Sequence, residues 1–130
     1  MHNPNYNLES LAAAWNRLDI QLLEPQISQN FTYDSQYFFR GIKSKAEFIS
    51  HLEAKFNAIR LLCDGGVMSI NAEIGYHPSL IGRPCIILTQ TSLGQTEKVL
   101  LYIEELHNVI TSINVCFIPD PFTAIPIQPN

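Results

Sequence analysis

Asp64-Gly65-Gly66, followed by Met68-Ser69-Ile70-Asn71-Ala72-Glu73-Ile74-Gly75-Tyr76, is the stretch that decides the fold. The hydrophobic period changes there from that of a helix to that of a strand. The two glycines are turn chemistry, and beyond them apolar and polar residues alternate as side chains do on the two faces of a strand. The alternation resumes over residues 85–92 after the loop His77-Pro78-Ser79-Leu80-Ile81-Gly82-Arg83-Pro84. A turn at Leu93-Gly94-Gln95 leads into a strand over 96–106, and His107-Asn108 leads into another over 109–118. Short connections between long strands predict antiparallel neighbours.

Upstream of the double glycine the pattern is helical. Ser44 and Glu47 stand at capping-box spacing, and Phe48, Ile49, Leu52, Phe56 and Ile59 supply one buried face. Before that helix, residues 30–39 alternate as a half-buried strand, with Phe31, Tyr33 and Ser35 on one side and Thr32 and Asp34 on the other. At the front, Leu8, Leu11, Ala12, Trp15 and Leu18 recur at helical spacing behind a capping Asn7, and a short helix over 19–24 stops near Pro25. Helices segregated ahead of a run of strands predict an α+β class: a strongly curved, mostly antiparallel sheet wrapped around the N-terminal helices. Such a packing leaves a cone-shaped cavity beside the long helix, a place for a ligand. One domain is expected over 1–130, with its core in 7–118. Residues 119–130 hold four prolines and no amphipathic period, so they are expected to be extended, lying over the domain or over a partner subunit.

Composition narrows the function classes. Apolar residues make up 46% and charged residues 15%, the balance of a packed globular chain. The formal net charge is −4, and the eight Lys and Arg are scattered without a run or stripe, which argues against nucleic acid. Cys63, Cys85 and Cys116 are an odd number with neither CxxC spacing nor a histidine at ligand spacing, and read as reduced, buried residues. The N-terminus lacks the charged start and apolar core of a signal peptide, and runs such as 99–103 are too short to span a bilayer, so a cytoplasmic location without membrane association is expected. The four histidines form no metal set, and phosphate loop and nucleophile elbow are lacking, so neither metal nor cofactor is expected.

The order of elements, with Ala14-Trp15-Asn16-Arg17-Leu18-Asp19, the segment FTYDSQYFFRGIKSKAEFISHLEAKF over 31–56 and ITSINVCFIP over 110–119, resembles the nuclear transport factor 2-like (NTF2-like) superfamily, in its SnoaL-like and ketosteroid isomerase-like branches. The resemblance spans roughly 8–119. It implies a cystatin-like α+β cone, homodimerisation through the outer sheet face, and activities ranging from isomerase, dehydratase and hydrolase to binding alone.

In isomerase-like members an Asp near the end of the first strand abstracts a proton beside a carbonyl. The resemblance puts Ser35 at that position and Asp34 one residue earlier, facing the other way unless a bulge turns it inward. Tyr33 and Tyr37 would present phenols near the cavity mouth, or serve as wall residues. Trp15 and Asp19 share a face if the first helix continues; otherwise Trp15 is core and Asp19 caps the next helix. His77, at a strand end, is either a general base near the opening or an exposed loop residue, while His51 falls on the solvated face of its helix with Glu47 and Lys55. Glu73, Glu104 and Asn114 are the polar strand residues whose facing decides whether they enter the cone. The expected reading is a homodimeric domain binding a small, largely apolar ligand walled by Trp15, Tyr33, Tyr37, Phe48, Leu52, Phe56 and Asn114. Two alternatives stand beside it. One is a cofactor-independent isomerase, dehydratase or hydrolase acting on a carbonyl or polyketide-like compound through Asp34, Asp19, Tyr33 or His77, at least two of which must converge. The other is a protein-interaction module with a filled cone.

Overall fold

The computed structural model describes residues 5–35 and 41–127, and of Ser35 the backbone alone. The first helix, α1, runs Tyr6–Arg17 and buries Leu8, Leu11, Ala14 and Trp15. Asn7 lies inside its first turn rather than capping it, and donates its amide to Glu105 Oε2 and to the Asn108 carbonyl, both at 3.0 Å. Leu18 ends the helix in the left-handed region at φ 53°, where its carbonyl accepts from Arg60. The helix expected over 19–24 is instead two 3₁₀ turns, Ile20–Leu22 and Glu24–Gln26, with Pro25 in the first turn of the second. Proline is tolerated at that point because its missing amide hydrogen would have had no partner.

Strand β1 spans Ile27–Ser35, and α2 spans Lys45–Asp64. Ser44 caps α2 by accepting from the Glu47 amide at 3.1 Å. Phe48, Leu52, Phe56 and Ile59 form its buried stripe. The remaining strands are β2 (Met68–Tyr76), β3 (Cys85–Ser92), β4 (Gln95–Leu106), β5 (Val109–Cys116) and a short β6 (Ile125–Pro126). They make one open six-stranded sheet in the order β1-β5-β4-β3-β2-β6. The ladders from β5 to β6 are antiparallel, whereas β1 lies parallel to β5. The register shifts between Ile27 and Thr32 and between Glu104 and Glu105, where the ladders are locally interrupted.

Strand alternation gives the sheet two unlike faces. Phe31, Tyr33, Ala72, Ile86, Leu88, Leu101, Ile113 and Val115 join the helices in the main core. There Phe48 packs against Phe31 and Tyr33 with ring centroids 4.5 and 5.2 Å apart, and Trp15 meets Phe56 edge-on at 4.9 Å. The convex face carries a second cluster, Cys85, Ile87, Leu100 and Tyr102, with Cys116 and Ala124 against it.

The segment after β5 is not simply extended. Residues Pro121–Thr123 form a 3₁₀ turn, and β6 pairs with β2 at Gly75 and Tyr76. The close approach requires glycine: a Cβ at Gly75 would stand 2.5 Å from the Ile125 carbonyl oxygen and 2.4 Å from Ile87 Cδ1. Farther along the same edge, the Asn16 side chain takes the place of a neighbouring strand. It donates to the Ala72 carbonyl at 2.8 Å and accepts from the Ala72 amide at 2.7 Å.

Candidate functional site

A cavity of about 340 Å³ opens between the helices and the concave face of the sheet. Its apolar wall is Trp15 from α1, Leu88 from β3, Val99 and Leu101 from β4, and Val115 from β5. Tyr33, Lys55, Gln90 and Glu97 add the polar groups. The pairing of Gln90 with Glu97, two residues along from Leu88 with Val99, carries the concave parity out to the rim, where core gives way to mouth.

Burial raises the Tyr33 phenol to about 12, so it is a proton donor at neutral pH and not a phenolate. Lys55 is lowered below the ordinary lysine range by burial, with no carboxylate among the described residues acting against that shift. As a residue it remains exposed over much of its surface. Its lowering is therefore limited: the cavity wall shelters one side of the ammonium, which lies 5.9 Å from the centre of the Trp15 ring, and water reaches the other.

His51 was expected on the solvated face of α2, but its ring stands 5.9 Å from that of Tyr33. Nε2 is buried without a hydrogen-bond partner among the described residues. Burial first, and Lys55 second, lower its pKa, while Glu47 pulls the other way.

Trp15 and Tyr33 line this cavity. Phe48, Leu52 and Phe56 sit behind its wall as fully buried core. Asn114 pairs with Tyr102 and Asp34 across adjacent strands and lies with them on the convex side. Tyr37 falls outside the described residues. Asp34 is exposed, and its carboxylate covers the position where a Cβ on Gly41 would stand. Asp19 caps the first 3₁₀ turn through the Gln21 amide and borders a separate groove of about 170 Å³ beside Arg60. The left-handed turn at Leu18 takes Asp19 off the Trp15 face. His77 is buried, not an exposed loop residue: Nδ1 accepts from the Ser79 amide at 3.0 Å, and Nε2 meets Thr123 Oγ1 at 2.6 Å and the Asp120 carbonyl at 3.1 Å. It anchors the segment that leads to β6. Asp34, Asp19 and His77 thus lie apart, and no two of them border one cavity among those described.

Lys55, Gln90 and Glu97 were not singled out from the sequence. Strand parity would have found two of them, since Gln90 continues the Ile86, Leu88 face and Glu97 the Val99, Leu101 face. Lys55 precedes the buried Phe56 and stands one turn after His51, a place at the margin of the apolar stripe that helical spacing leaves ambiguous.

On the convex face a second cavity, of about 430 Å³, is bordered by Asp34, Arg83, Tyr102, Glu104, Asn114 and Cys116. The Arg83 guanidinium lies 5.0 Å from the Tyr102 ring centre. Tyr102 is 3% exposed, and its hydroxyl has no oxygen or nitrogen partner among the described residues; the Cys85 thiol stands close enough to share a weak side-chain hydrogen bond with it. Burial pushes Tyr102 to about 12 and Cys85 to about 11. Among the described residues no group of His, Cys, Asp and Glu could hold a metal ion, and no helix is long and apolar enough to cross a membrane.

No protein-family model matches the sequence, and no curated protein matches it. Solved structures do. An NTF2-like protein of unknown function from Cytophaga hutchinsonii is 15% identical, covering 94% of this chain and 96% of its own, with a TM-score of 0.61. A proposed polyketide cyclase from Pseudomonas putida KT2440 is 14% identical over 95% of this chain and 97% of its own, with a TM-score of 0.63. An LEH-like epoxide hydrolase of M. tuberculosis is 13% identical over 89% of this chain and 84% of its own, with a TM-score of 0.57. At these identities the likeness is one of fold, and that fold carries more than one chemistry.

Proposed function

We propose, from the premise that this chain has the NTF2-like α+β fold, that it binds a small, largely apolar molecule in its cone. One observation carries the reading: the 340 Å³ cavity on the concave face, walled by Trp15, Leu88, Val99, Leu101 and Val115. A space of that size accommodates roughly ten to fifteen non-hydrogen atoms, taking about 30 Å³ for each as in liquid water. Calorimetric titration with a neutral fused-ring compound, 2-naphthamide, tests it. Saturable one-to-one binding that is lost when Leu88→Trp fills the cavity is expected. Binding that survives Leu88→Trp, or its complete failure in folded wild-type protein, sinks the proposal.

The polar rim supports a second reading, a cofactor-independent isomerase, dehydratase or hydrolase acting on a carbonyl compound. Tyr33 would polarise the carbonyl oxygen as a neutral donor, and the Lys55 amine would be a basic group on the same wall. Turnover of a carbonyl substrate that disappears in both Tyr33→Phe and Lys55→Met would favour it over binding alone. Unpaired Cys63, Cys85 and Cys116 suit a reducing, cytoplasmic setting. A homodimer through the outer sheet face would use the part that residues 121–126 leave open, and sedimentation at micromolar concentration decides between dimer and monomer.

A further inference from the structure

The cone carries a cation for which burial is the one influence found among the described residues. Lys55 has His51 and Ile59 one turn away along α2, and Leu52 and Ala58 on the adjoining row, none of them acidic. Its charged end lies over the π-face of Trp15, and burial acts on it without a carboxylate among the described residues to offset the effect. The other lysine bordering the cavity points elsewhere: the Lys98 ammonium lies 5.8 Å from the Phe122 ring centre, on the segment that crosses the convex face. The carboxylate on the cavity wall, Glu97, is exposed and belongs to the end of the β3–β4 hairpin.

A partly desolvated ammonium without a counter-ion is a poor arrangement for the empty protein and a good one for a complex in which the ligand brings the negative charge. Tyr33 supports the same polarity. Its phenol stays protonated, so towards an anion it acts as a donor, and Gln90 on the same wall can donate through its amide. Apolar residues surround these groups, so the ligand presents a hydrocarbon body and a single acidic end.

We propose that the cone selects an aromatic carboxylic acid, its ring system against Trp15, Leu88, Leu101 and Val115 and its carboxylate on Lys55 and Tyr33. This rests on the cone being a ligand site and adds the class of ligand it takes. Lys55 is the specificity-determining residue. A charge-assisted pair at the edge of an apolar chamber favours the acid over a neutral analogue of the same shape by about tenfold.

The test compares 2-naphthoate with 2-naphthamide, matched in shape and different in charge, by calorimetric titration of the full chain at neutral pH. Wild-type protein should bind the carboxylate about tenfold more tightly. Lys55→Met should erase that preference while leaving the affinity for the amide within about twofold, and Lys55→Arg should keep most of it. Lys98→Met should bind as wild type does. Circular dichroism of each variant checks that α2 is intact, and the charge-retaining Lys55→Arg separates loss of the ammonium from any disturbance of packing. If wild-type protein binds the amide as well as the carboxylate, or Lys55→Met keeps the preference, the inference falls while the cone remains a binding site. If neither compound binds, the cone itself is not a site for molecules of this kind and both readings fall together.

Discussion

The two faces of one sheet are built from the same strands and have been finished in opposite ways. On the concave face alternate strand residues turn to α1 and α2 and pack with them into the main core, beside the chamber at Trp15 and Lys55. On the convex face a smaller apolar cluster, Cys85, Ile87, Leu100 and Tyr102, is covered in part by the chain's own C-terminal segment. What covers each face differs in kind. The concave cover is a pair of helices with their own hydrogen bonds, so burial of large side chains carries it. The convex cover is a few residues of turn and a two-residue strand, held by hydrogen bonds to His77 and to the edge of β2. Stability should therefore be distributed unequally, with the concave side opening only in global unfolding and the convex cover opening on its own.

The largest effect should come from breaking the concave side. Phe56→Ala removes a buried ring that meets Trp15 edge-on, and should lower the unfolding free energy by about 3–5 kcal/mol in urea titration, with the cone lost along with the fold. A loss below about 1 kcal/mol would mean that Phe56 is not core.

His77→Ala attacks the convex cover. It deletes the partner of Thr123 and of the Ser79 amide, and should cost about 1–3 kcal/mol. Chymotrypsin should cut sooner after the exposed Phe122, while hydrogen exchange in α2 changes little beyond the global loss. Equal acceleration in both places would show that the cover does not open separately.

Tyr102→Phe should act with the opposite sign. The buried hydroxyl has no partner stronger than the Cys85 thiol among the described residues, so removing it while keeping the ring over which Arg83 lies should be neutral or stabilise by up to about 1 kcal/mol. A loss of more than that would reveal a partner for the hydroxyl.

The smallest effect concerns pH. The folded-state pKa of His51 is lowered, so between that value and the ordinary 6.5 the unfolded chain binds a proton that the folded chain does not. Stability should then fall as pH drops through about 6.5, and level off once the folded pKa is passed. In His51→Phe the denaturation midpoint should depend less on pH between about 7.5 and 5.5 than in wild type. An unchanged slope would remove His51 from the account.

How much of this was legible beforehand follows from which interactions decide each feature. β2 and β3 begin and end where the alternation does, because uninterrupted period-two patterning and the turn at Leu93-Gly94 leave one register available. The cap at Ser44 is equally local. Asp34 faces away from Tyr33 by parity alone, and the pairing of Asp34 with Asn114 keeps both on the convex side. The C-terminal segment was not legible in the same way, since proline-rich sequence has no period, and β6 exists because Gly75 admits a second backbone and His77 holds the approach. Nor was the parallel pairing of β1 with β5, which joins segments far apart in the chain and has no local signal. Lys55 reads as one more charge on an exposed helix face. Only the position of Trp15 on another helix makes it part of a chamber.

The Asn16 amide has a wider consequence through its place beside β2. An unpaired strand border is a template on which a second molecule can add its own strand, and successive additions lead to sheet-like aggregates. Asn16 occupies both hydrogen-bonding groups of Ala72, and β6 occupies those near Gly75, so the border is interrupted where a foreign strand would need it continuous. A single carboxamide from α1 thus closes the border at Ala72 to an added strand.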